Sequence, residues 1–188
     1  SEEKAKHEHV IIHFEDKTDL RYHDTRKFGR MKIIPKEALY ETEEIKKQGL
    51  EPGSSKLTGE YLLGKFKGKK EPIKTALLDQ TIISGLGNIY ANEVLFASNI
   101  NPMRPANSIT LDEAQKIVKT SASIIKKAME LGGTTIRSYT SSLGVTGHYQ
   151  DYLLVHKREN CPCKVCGTPI ICIKVGGRST YLCPKCQK

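Results

Sequence analysis

The sequence concentrates its cysteines at one end of the chain, in a pattern typical of a metal site. All six cysteines of the 188 residues lie in the last 28 positions. Two C-x2-C pairs, Cys163/Cys166 and Cys183/Cys186, are separated by 16 residues. Each pair offers two thiolates from one tight turn, and this spacing falls in the range of four-thiolate zinc sites. The spacing therefore predicts one structural Zn2+ on these four residues; the alternative is a chance cluster of reduced thiols.

Two further cysteines lie outside these pairs. Cys172 sits in an apolar run and is predicted to be a small buried side chain. Cys161 could compete for the metal, although its C-x-C spacing to Cys163 suits a tetrahedral site less well. A disulfide-stapled fold is excluded, because such a fold would spread its cysteines through the structure that they hold together.

The charge balance favours a polyanionic partner. Thirty Lys and Arg residues stand against 21 Asp and Glu residues, which gives a net charge of +9. Basic residues gathered on one face release counterions from a nucleic-acid backbone, although a merely solvated basic surface is the alternative. No apolar run approaches the roughly 20 residues needed to span a bilayer, and no charged-then-apolar leader opens the chain. We therefore expect no membrane partner and no secretion.

The pattern of apolar and turn residues predicts an α+β chain, with N-terminal strands, a helical middle and a C-terminal hairpin. Residues 132–150 are rich in Gly, Ser and Thr without periodicity, which favours a functional loop over a simple connector. Strands are expected at residues 9–14, 19–22, 30–34, 170–175 and 179–182, and helices at 36–46, up to Phe66, from Pro72, at 88–98 and after a cap at Thr110.

Four segments in this order resemble the formamidopyrimidine-DNA glycosylase and endonuclease VIII family. They are YHDTRKFGRM (22–31), IKTALLDQTIISGLGNIYANEVLFASNINP (73–102), GGTTIRSYTSSLGVTGHYQ (132–150) and the cysteine-rich end CKVCGTPI…GGRSTYLCPKCQK. The last three are more similar to the branch that favours oxidised purines such as 8-oxoguanine. The resemblance implies part of an N-terminal β-sandwich over residues 1–36, a helix–two-turn–helix domain over 37–155 and a zinc finger over 156–188.

The same resemblance implies base-excision repair of double-stranded damaged DNA. Members of this family flip a damaged base out of the duplex, displace it with the amine of an N-terminal proline and then cleave the abasic strand. The implied parent protein is a monomeric glycosylase and abasic-site lyase of the bacterial cytoplasm, associated with the nucleoid. Two alternatives stay open: an endonuclease VIII-like enzyme for oxidised pyrimidines, and a non-catalytic zinc-ribbon binding module.

The family's catalytic Pro-Glu-Leu-Pro-Glu opening does not occur in this sequence. The Glu-Pro pairs at 51–52 and 71–72 are internal and offer no free amine. Because about three strands in the first 35 residues cannot form a stable sheet alone, and the chain begins with Ser1, we expect an N-terminal portion to precede it. We therefore expect no catalytic residue in this chain, DNA binding without base excision, and self-association through exposed strands at residues 9–34.

The resemblance also implies five DNA contacts. Arg26 and Phe28 would probe the duplex from the minor groove, with the ring wedged between base steps. Lys74 would lie near the damaged nucleotide, Asn88 would bind phosphate at a helix start, and Arg178 would bridge phosphates from the hairpin tip that the zinc fixes. Judged without the resemblance, Phe28 reads as a core aromatic, Lys74 as an exposed helix charge and Asn88 as an N-cap. The loop at 132–150 would cap the lesion.

Overall fold

A computed structural model describes residues 3–134 and 147–188. The chain divides into two compact units, Ser1–Thr42 and Glu43–Lys188. The predicted fold class is confirmed, because small β-hairpins accompany a helical body and a cluster of four cysteines. The predicted loop at 132–150 falls largely outside the described residues. The predicted domain boundaries at 36/37 and 155/156 stay predictions.

The first unit contains one antiparallel hairpin, formed by β1 (Glu8–His13) and β2 (Asp19–His23). Val10 lies opposite Tyr22 and Ile12 opposite Leu20, so these four side chains share one face of the hairpin. This face is solvent-accessible, with Ile12 45% and Leu20 54% exposed. The predicted strands at 9–14 and 19–22 are thus confirmed to within a residue or two at their ends.

The strand predicted at residues 30–34 is wrong. In the described part of this unit β1 pairs only with β2, so the apolar run at 30–34 has no ladder to join and stays extended without partners in a sheet. Ile33 is fully exposed as a result. The helix predicted at 36–46 is divided into a 3-10 helix, Lys36–Glu41, and a single turn, α1 (Glu43–Lys46).

Four helices form the body of the second unit: α2 (Gly59–Phe66), α3 (Ile73–Leu78), α4 (Asn88–Ala97) and α5 (Leu111–Glu130). Thr58 caps α2 by accepting the backbone N–H of Tyr61. Thr110 and Glu113 form a reciprocal capping box at the start of α5, as the predicted cap at Thr110 requires. The helices enclose one apolar core, which includes Leu62, Phe66, Ile73, Leu77, Ile83, Leu86, Leu95 and Ile117.

Helix α5 buries only part of the apolar stripe that its sequence predicts. Ala114, Ile117 and Ala128 are buried, whereas Leu111 and Met129 at its ends are 39% and 76% exposed. The buried face therefore runs from Ala114 to Ala128, and the first residue of the helix and Met129 lie outside it. None of the helices in the described residues is long and apolar enough to cross a bilayer.

The cysteine-rich end packs on the helical body within the second unit. Its hairpin consists of β3 (Ile171–Val175) and β4 (Arg178–Leu182), close to the predicted strands. Phe96 of α4 packs with Val155 and Ile170 of this end in a second apolar cluster. Gln187 adds two hydrogen bonds, since its amide donates to the carbonyl of Ile100 and accepts the N–H of Cys183. The hairpin therefore has a fixed position relative to α4.

Candidate nucleic-acid interface and zinc centre

The four cysteines of the two C-x2-C pairs converge on one point. The Sγ atoms of Cys163, Cys166, Cys183 and Cys186 all lie within 4.8 Å of one another. The Sγ atoms of Cys166 and Cys183 are 3.4 Å apart, and those of Cys163 and Cys186 are 4.0 Å apart. A Zn–S bond of about 2.3 Å in a tetrahedron requires sulfurs roughly 3.8 Å apart. The thiols fit one zinc ion, and with four sulfur ligands such an ion keeps no open position for catalysis.

The other two cysteines stand apart from this cluster. Cys161 is exposed and does not belong to the group of metal-ligating side chains found in the described residues. Cys172 lies on β3 opposite Tyr181 and is half-buried rather than fully buried as predicted. The competition of Cys161 for the metal is therefore not supported by the geometry.

The turn between β3 and β4 presents Arg178 to solvent. Gly176 and Gly177 both have positive φ, at 55° and 74°, which two-residue hairpin turns of this hand require. A Cβ on Gly176 would lie 2.9 Å from the Oγ1 atom of Thr75 on α3, so the turn also approaches the helical body closely. Arg178 follows at once and is exposed. The turn thus aims a guanidinium outward from a rigid base.

Asn88 is the first residue of α4, and Gly87 is the N-cap. The alternative reading of Asn88 as a plain N-cap is therefore wrong. Its Nδ2 donates to the carbonyl of Ser179 at 3.2 Å, and its Oδ1 is buried with no hydrogen-bond partner in the described residues. This contact brings the start of α4, whose first N–H groups attract anions, next to the strand that begins with Arg178.

Gln80 organises the turn that precedes α4. Its amide donates to the carbonyl of Leu86 at 3.1 Å and accepts the backbone N–H of Gly85 at 2.8 Å. Gly85 has a φ of 79°, a conformation that favours glycine. The glycine pattern of this segment indicates a turn, but nothing in the sequence marks the glutamine as its organiser.

Lys74 does not lie on an exposed helix face. The side chain is fully buried, and its Nζ donates to the Ser179 carbonyl at 3.0 Å and to the Thr180 hydroxyl at 2.7 Å. Burial lowers the pKa of Lys74 to about 8; the nearby Cys172 acts in the opposite direction, and the smaller effect of the Arg178 charge adds to that of burial. The exposed-charge reading is therefore wrong, and Lys74 and Asn88 meet at the same carbonyl of β4.

In the first unit, one carboxylate shapes the loop that carries Arg26 and Phe28. Asp24 accepts the backbone N–H groups of Arg26 and Gly29 at 2.9 and 2.8 Å, and the hydroxyl of Tyr22 at 3.1 Å. These donors, the Gly29 N–H foremost, lower the pKa of Asp24 to about 2. The guanidinium of Arg26 lies 5.5 Å from the centre of the Phe28 ring, which is 77% exposed. The core-aromatic reading of Phe28 is wrong.

A buried polar junction links α4 to the start of the cysteine-rich end. The carboxylate of Glu93 accepts the backbone N–H groups of Leu154, Val155 and His156 at 2.8, 3.1 and 2.8 Å. Burial raises the pKa of Glu93, although these three donors act in the opposite direction. Asn92 pairs with the His156 ring at 2.8 Å, and burial lowers the pKa of His156 to about 4. A single sequence gives no signal for this junction.

The ends of the predicted capping loop are tied together where the structure describes them. The backbone N–H groups of His148 and Tyr149 donate to the carbonyls of Leu131 and Gly133 at 2.9 and 3.0 Å. The Tyr90 hydroxyl on α4 lies 3.0 Å from the hydroxyl of Thr134. Residues 135–146 between these ends lie outside the described residues, so the role of the loop stays a prediction.

Comparisons with known proteins agree across the chain. The formamidopyrimidine-DNA glycosylase H2TH domain matches residues 48–140, the zinc finger found in FPG and IleRS matches 162–188, and the formamidopyrimidine-DNA glycosylase N-terminal domain matches 1–31. A formamidopyrimidine-DNA glycosylase from Listeria monocytogenes is 47% identical over 100% of this chain and 69% of its own length. One from Ligilactobacillus salivarius is 46% identical over 100% of this chain and 68% of its own.

This chain belongs to the formamidopyrimidine-DNA glycosylase family.

Solved structures of family members share its fold. The Lactococcus lactis Fpg in complex with DNA containing an abasic site has a TM-score of 0.90 and 36% identity, covering 100% of this chain and 68% of that one. The MutM (Fpg) protein of Thermus thermophilus has a TM-score of 0.88 and 35% identity, covering 98% and 70%. The zinc finger of the family, together with the four converging thiols, confirms the prediction of one structural zinc.

Proposed function

We propose that this chain supplies the DNA-binding part of a base-excision repair enzyme, a glycosylase and abasic-site lyase for oxidised purines such as 8-oxoguanine and formamidopyrimidines. The observation that carries this proposal is the meeting of Asn88 and Lys74 at the carbonyl of Ser179, directly after Arg178. Its relatives are named formamidopyrimidine-DNA glycosylase, and solved relatives are complexes with damaged DNA.

The chemistry of this meeting point suits a DNA backbone distorted by a lesion. The first N–H groups of α4 and the Asn88 amide offer donors to one phosphate, while the exposed Arg178 fork can bind two oxygens of a neighbouring one. Rotation of a nucleotide out of the duplex distorts the backbone on either side of it, so its flanking phosphates leave the positions that they have in a regular duplex. Two anion-binding groups fixed side by side therefore favour flipped DNA over straight DNA.

The Arg26–Phe28 loop is proposed to act on the bases. An exposed aromatic ring held by a rigid turn can enter the gap between base steps, and the adjacent guanidinium can face the base left unpaired. The stiffness of the loop comes from Asp24, which bonds two of its N–H groups.

The zinc is proposed to hold the hairpin in place and to take no part in the chemistry. Four thiolates complete its tetrahedron, so its contribution is to fix β3 and β4 and through them Arg178. The ligands proposed are the four clustered cysteines, and the residues proposed to contact DNA are Arg26, Phe28, Asn88 and Arg178. Lys74, the fifth DNA contact predicted from the resemblance, is fully buried against β4 instead. Residues 132–150 are proposed to cap the lesion. They belong to the proposed helix–two-turn–helix domain of residues 37–155, which follows the partial β-sandwich of residues 1–36 and precedes the zinc finger of residues 156–188.

Two alternatives are less well supported. An endonuclease VIII-like preference for oxidised pyrimidines is not favoured, because the relatives named above are formamidopyrimidine-DNA glycosylases. A non-catalytic zinc-ribbon module gives no reason for Asn88 and Arg178 to be fixed beside each other. We propose that this chain, like its bacterial relatives, acts in the cytoplasm in association with the nucleoid.

Self-association of this chain is proposed through the exposed strands of residues 9–34, by pairing of their edges with those of a second copy. Ile12 and Leu20 on the apolar face of β1 and β2 are about half exposed, and edge pairing would extend this face across both copies. Light scattering after size-exclusion chromatography is expected to show a dimer that Ile12→Lys returns to a monomer. A monomer at high concentration would contradict this proposal.

The DNA-binding proposal is tested by fluorescence anisotropy with two duplexes that differ only in one abasic-site analogue. The chain is expected to prefer the abasic duplex, and Asn88→Ala and Arg178→Ala are expected to lose that preference. Asn107→Ala, at an exposed asparagine with no proposed DNA contact, serves as the matched control and should keep it. Equal binding of both duplexes, with only a shared dependence on salt, would contradict the proposal.

A further inference from the structure

Lys74 lies beneath the tip of the zinc hairpin, on the first turn of α3. Its side chain has no exposed surface, so its amine does not reach solvent in the structure described. Both hydrogen bonds of its Nζ go to β4, one to the carbonyl of Ser179 and one to the hydroxyl of Thr180. The amine therefore contacts the strand that carries Arg178 rather than a surface where DNA could lie.

Thr180 extends this contact to Arg178 itself. The Thr180 hydroxyl accepts from Lys74 at 2.7 Å and donates to the backbone carbonyl of Arg178 at 3.0 Å. The hydroxyl has one proton and two lone pairs, so it can serve both partners at once. The result is a relay of two hydrogen bonds from a helix to the main chain of the exposed arginine.

Packing alone does not explain why a lysine occupies this buried position. A buried ammonium is costly unless it is paired, and the charged or ionisable groups that influence Lys74 are Cys172 and Arg178. An apolar side chain of the same length would fill the space without that cost. What the amine supplies and a methyl group cannot is a pair of directed donors to the backbone of β4.

We propose that Lys74 is a positioning residue that acts on DNA through Arg178, by way of Thr180, and not by contacting DNA itself. This inference rests on the proposed function of Arg178 as a phosphate-binding group. It changes the role of Lys74 from the one that the family resemblance implies. A loosened hairpin would keep its zinc but would spread the Arg178 guanidinium over several positions.

A double-mutant cycle tests the proposal with the full chain and an abasic-analogue duplex. Arg178→Ala is expected to weaken binding about tenfold, and Lys74→Met about fivefold. In the Arg178→Ala background, Lys74→Met is expected to change the dissociation constant by less than about twofold. Lys119→Met, at an exposed lysine of α5, is the matched control and should act equally in both backgrounds.

Thr180→Val provides a second variant that keeps the shape of the side chain. It removes the middle of the relay without touching the charge of Lys74, so it is expected to weaken binding in the same direction and to add nothing to Lys74→Met. Zinc content and circular dichroism of each variant show whether the hairpin and helices remain folded. If Lys74→Met loses zinc, the result with Thr180→Val decides the question.

The outcomes distinguish failure of the positioning role of Lys74 from failure of the proposed function. Equal weakening by Lys74→Met in the presence and absence of Arg178 would overturn the positioning role, and would leave the proposed function intact with Lys74 as an independent contact. No weakening by either Lys74→Met or Thr180→Val would also overturn it. If Arg178→Ala itself has no effect, the proposed function fails together with the inference.

Discussion

Replacing Glu93 is expected to lower the stability of this chain more than most substitutions do, although Glu93 does not belong to the proposed DNA surface. Its carboxylate accepts three backbone N–H groups of residues 154–156, with distances of 2.8 to 3.1 Å. In Glu93→Gln one carboxylate oxygen becomes an NH2 group. This NH2 group faces a backbone N–H, which is also a donor, so at least one of the three N–H groups loses its acceptor. The junction between α4 and the cysteine-rich end then loses its fixed geometry.

The expected cost follows from these three bonds. A hydrogen bond to a charged group contributes about 1.5–3 kcal/mol and one to a neutral group about 1 kcal/mol. Losing one charged bond and weakening two others amounts to roughly 4 kcal/mol, and relief from burying the carboxylate offsets part of it. We expect a net loss of about 3 kcal/mol, which lowers the melting temperature by roughly 6–12 °C for a chain of this size.

Thermal and urea unfolding of Glu93→Gln measure this cost. Glu130→Gln, at an exposed glutamate in the last turn of α5, makes the same chemical change without buried partners and should stay within about 0.5 kcal/mol of the wild type. If Glu93→Gln is as stable as Glu130→Gln, the three hydrogen bonds do not hold the junction and the reasoning is refuted.

Three further predictions address the loop, the junction and the metal. Asp24→Asn is expected to weaken binding to the abasic duplex about fivefold, whereas Asp16→Asn, in a turn without a proposed DNA contact, should not; equal effects would refute the role of Asp24. Because the pKa of His156 falls from 6.5 to about 4 on folding, the unfolded chain takes up the proton first as the pH drops. The wild type should therefore lose about 2 kcal/mol of stability relative to His156→Asn between pH 7 and pH 5, and parallel stability curves would contradict this. Cys183→Ser is expected to lose the zinc and to bind DNA as weakly as Arg178→Ala does. Cys172→Ser is expected to keep one zinc per chain, measured by atomic absorption. Zinc loss in both variants would argue against the four-cysteine site.

Local patterns were sufficient to predict α4, α5 and the metal site, whereas the single helix expected at 36–46 is divided into two short elements. The cap predicted at Thr110 marks the start of α5, and the two C-x2-C pairs indicate the zinc. Both signals lie within a few residues or in a fixed spacing. The strand predicted at 30–34 failed because a β-strand needs a partner, which no local pattern supplies.

The burial and the hydrogen-bond partners of the polar residues Lys74 and Glu93 could not be predicted from the sequence. Lys74 looks like an exposed charge until α3 meets β4, more than 100 residues further along the chain. Glu93 lies in a helix of ordinary composition, and its partners are backbone groups about 60 residues away. Polar side chains that bond distant main-chain groups leave no trace in periodicity. The family resemblance located Arg178 and Asn88, but it did not indicate what holds them.

Neutralising individual phosphates tests most directly whether the surface formed by Asn88 and Arg178 binds the backbone beside a lesion. Duplexes with one abasic analogue would carry a single methylphosphonate at successive positions on the damaged strand. The wild type should lose about tenfold in affinity when a phosphate flanking the lesion is neutralised, and Arg178→Ala should be insensitive to that same change. If Arg178→Ala loses as much as the wild type at every position, the guanidinium does not bind those phosphates and the central claim is wrong.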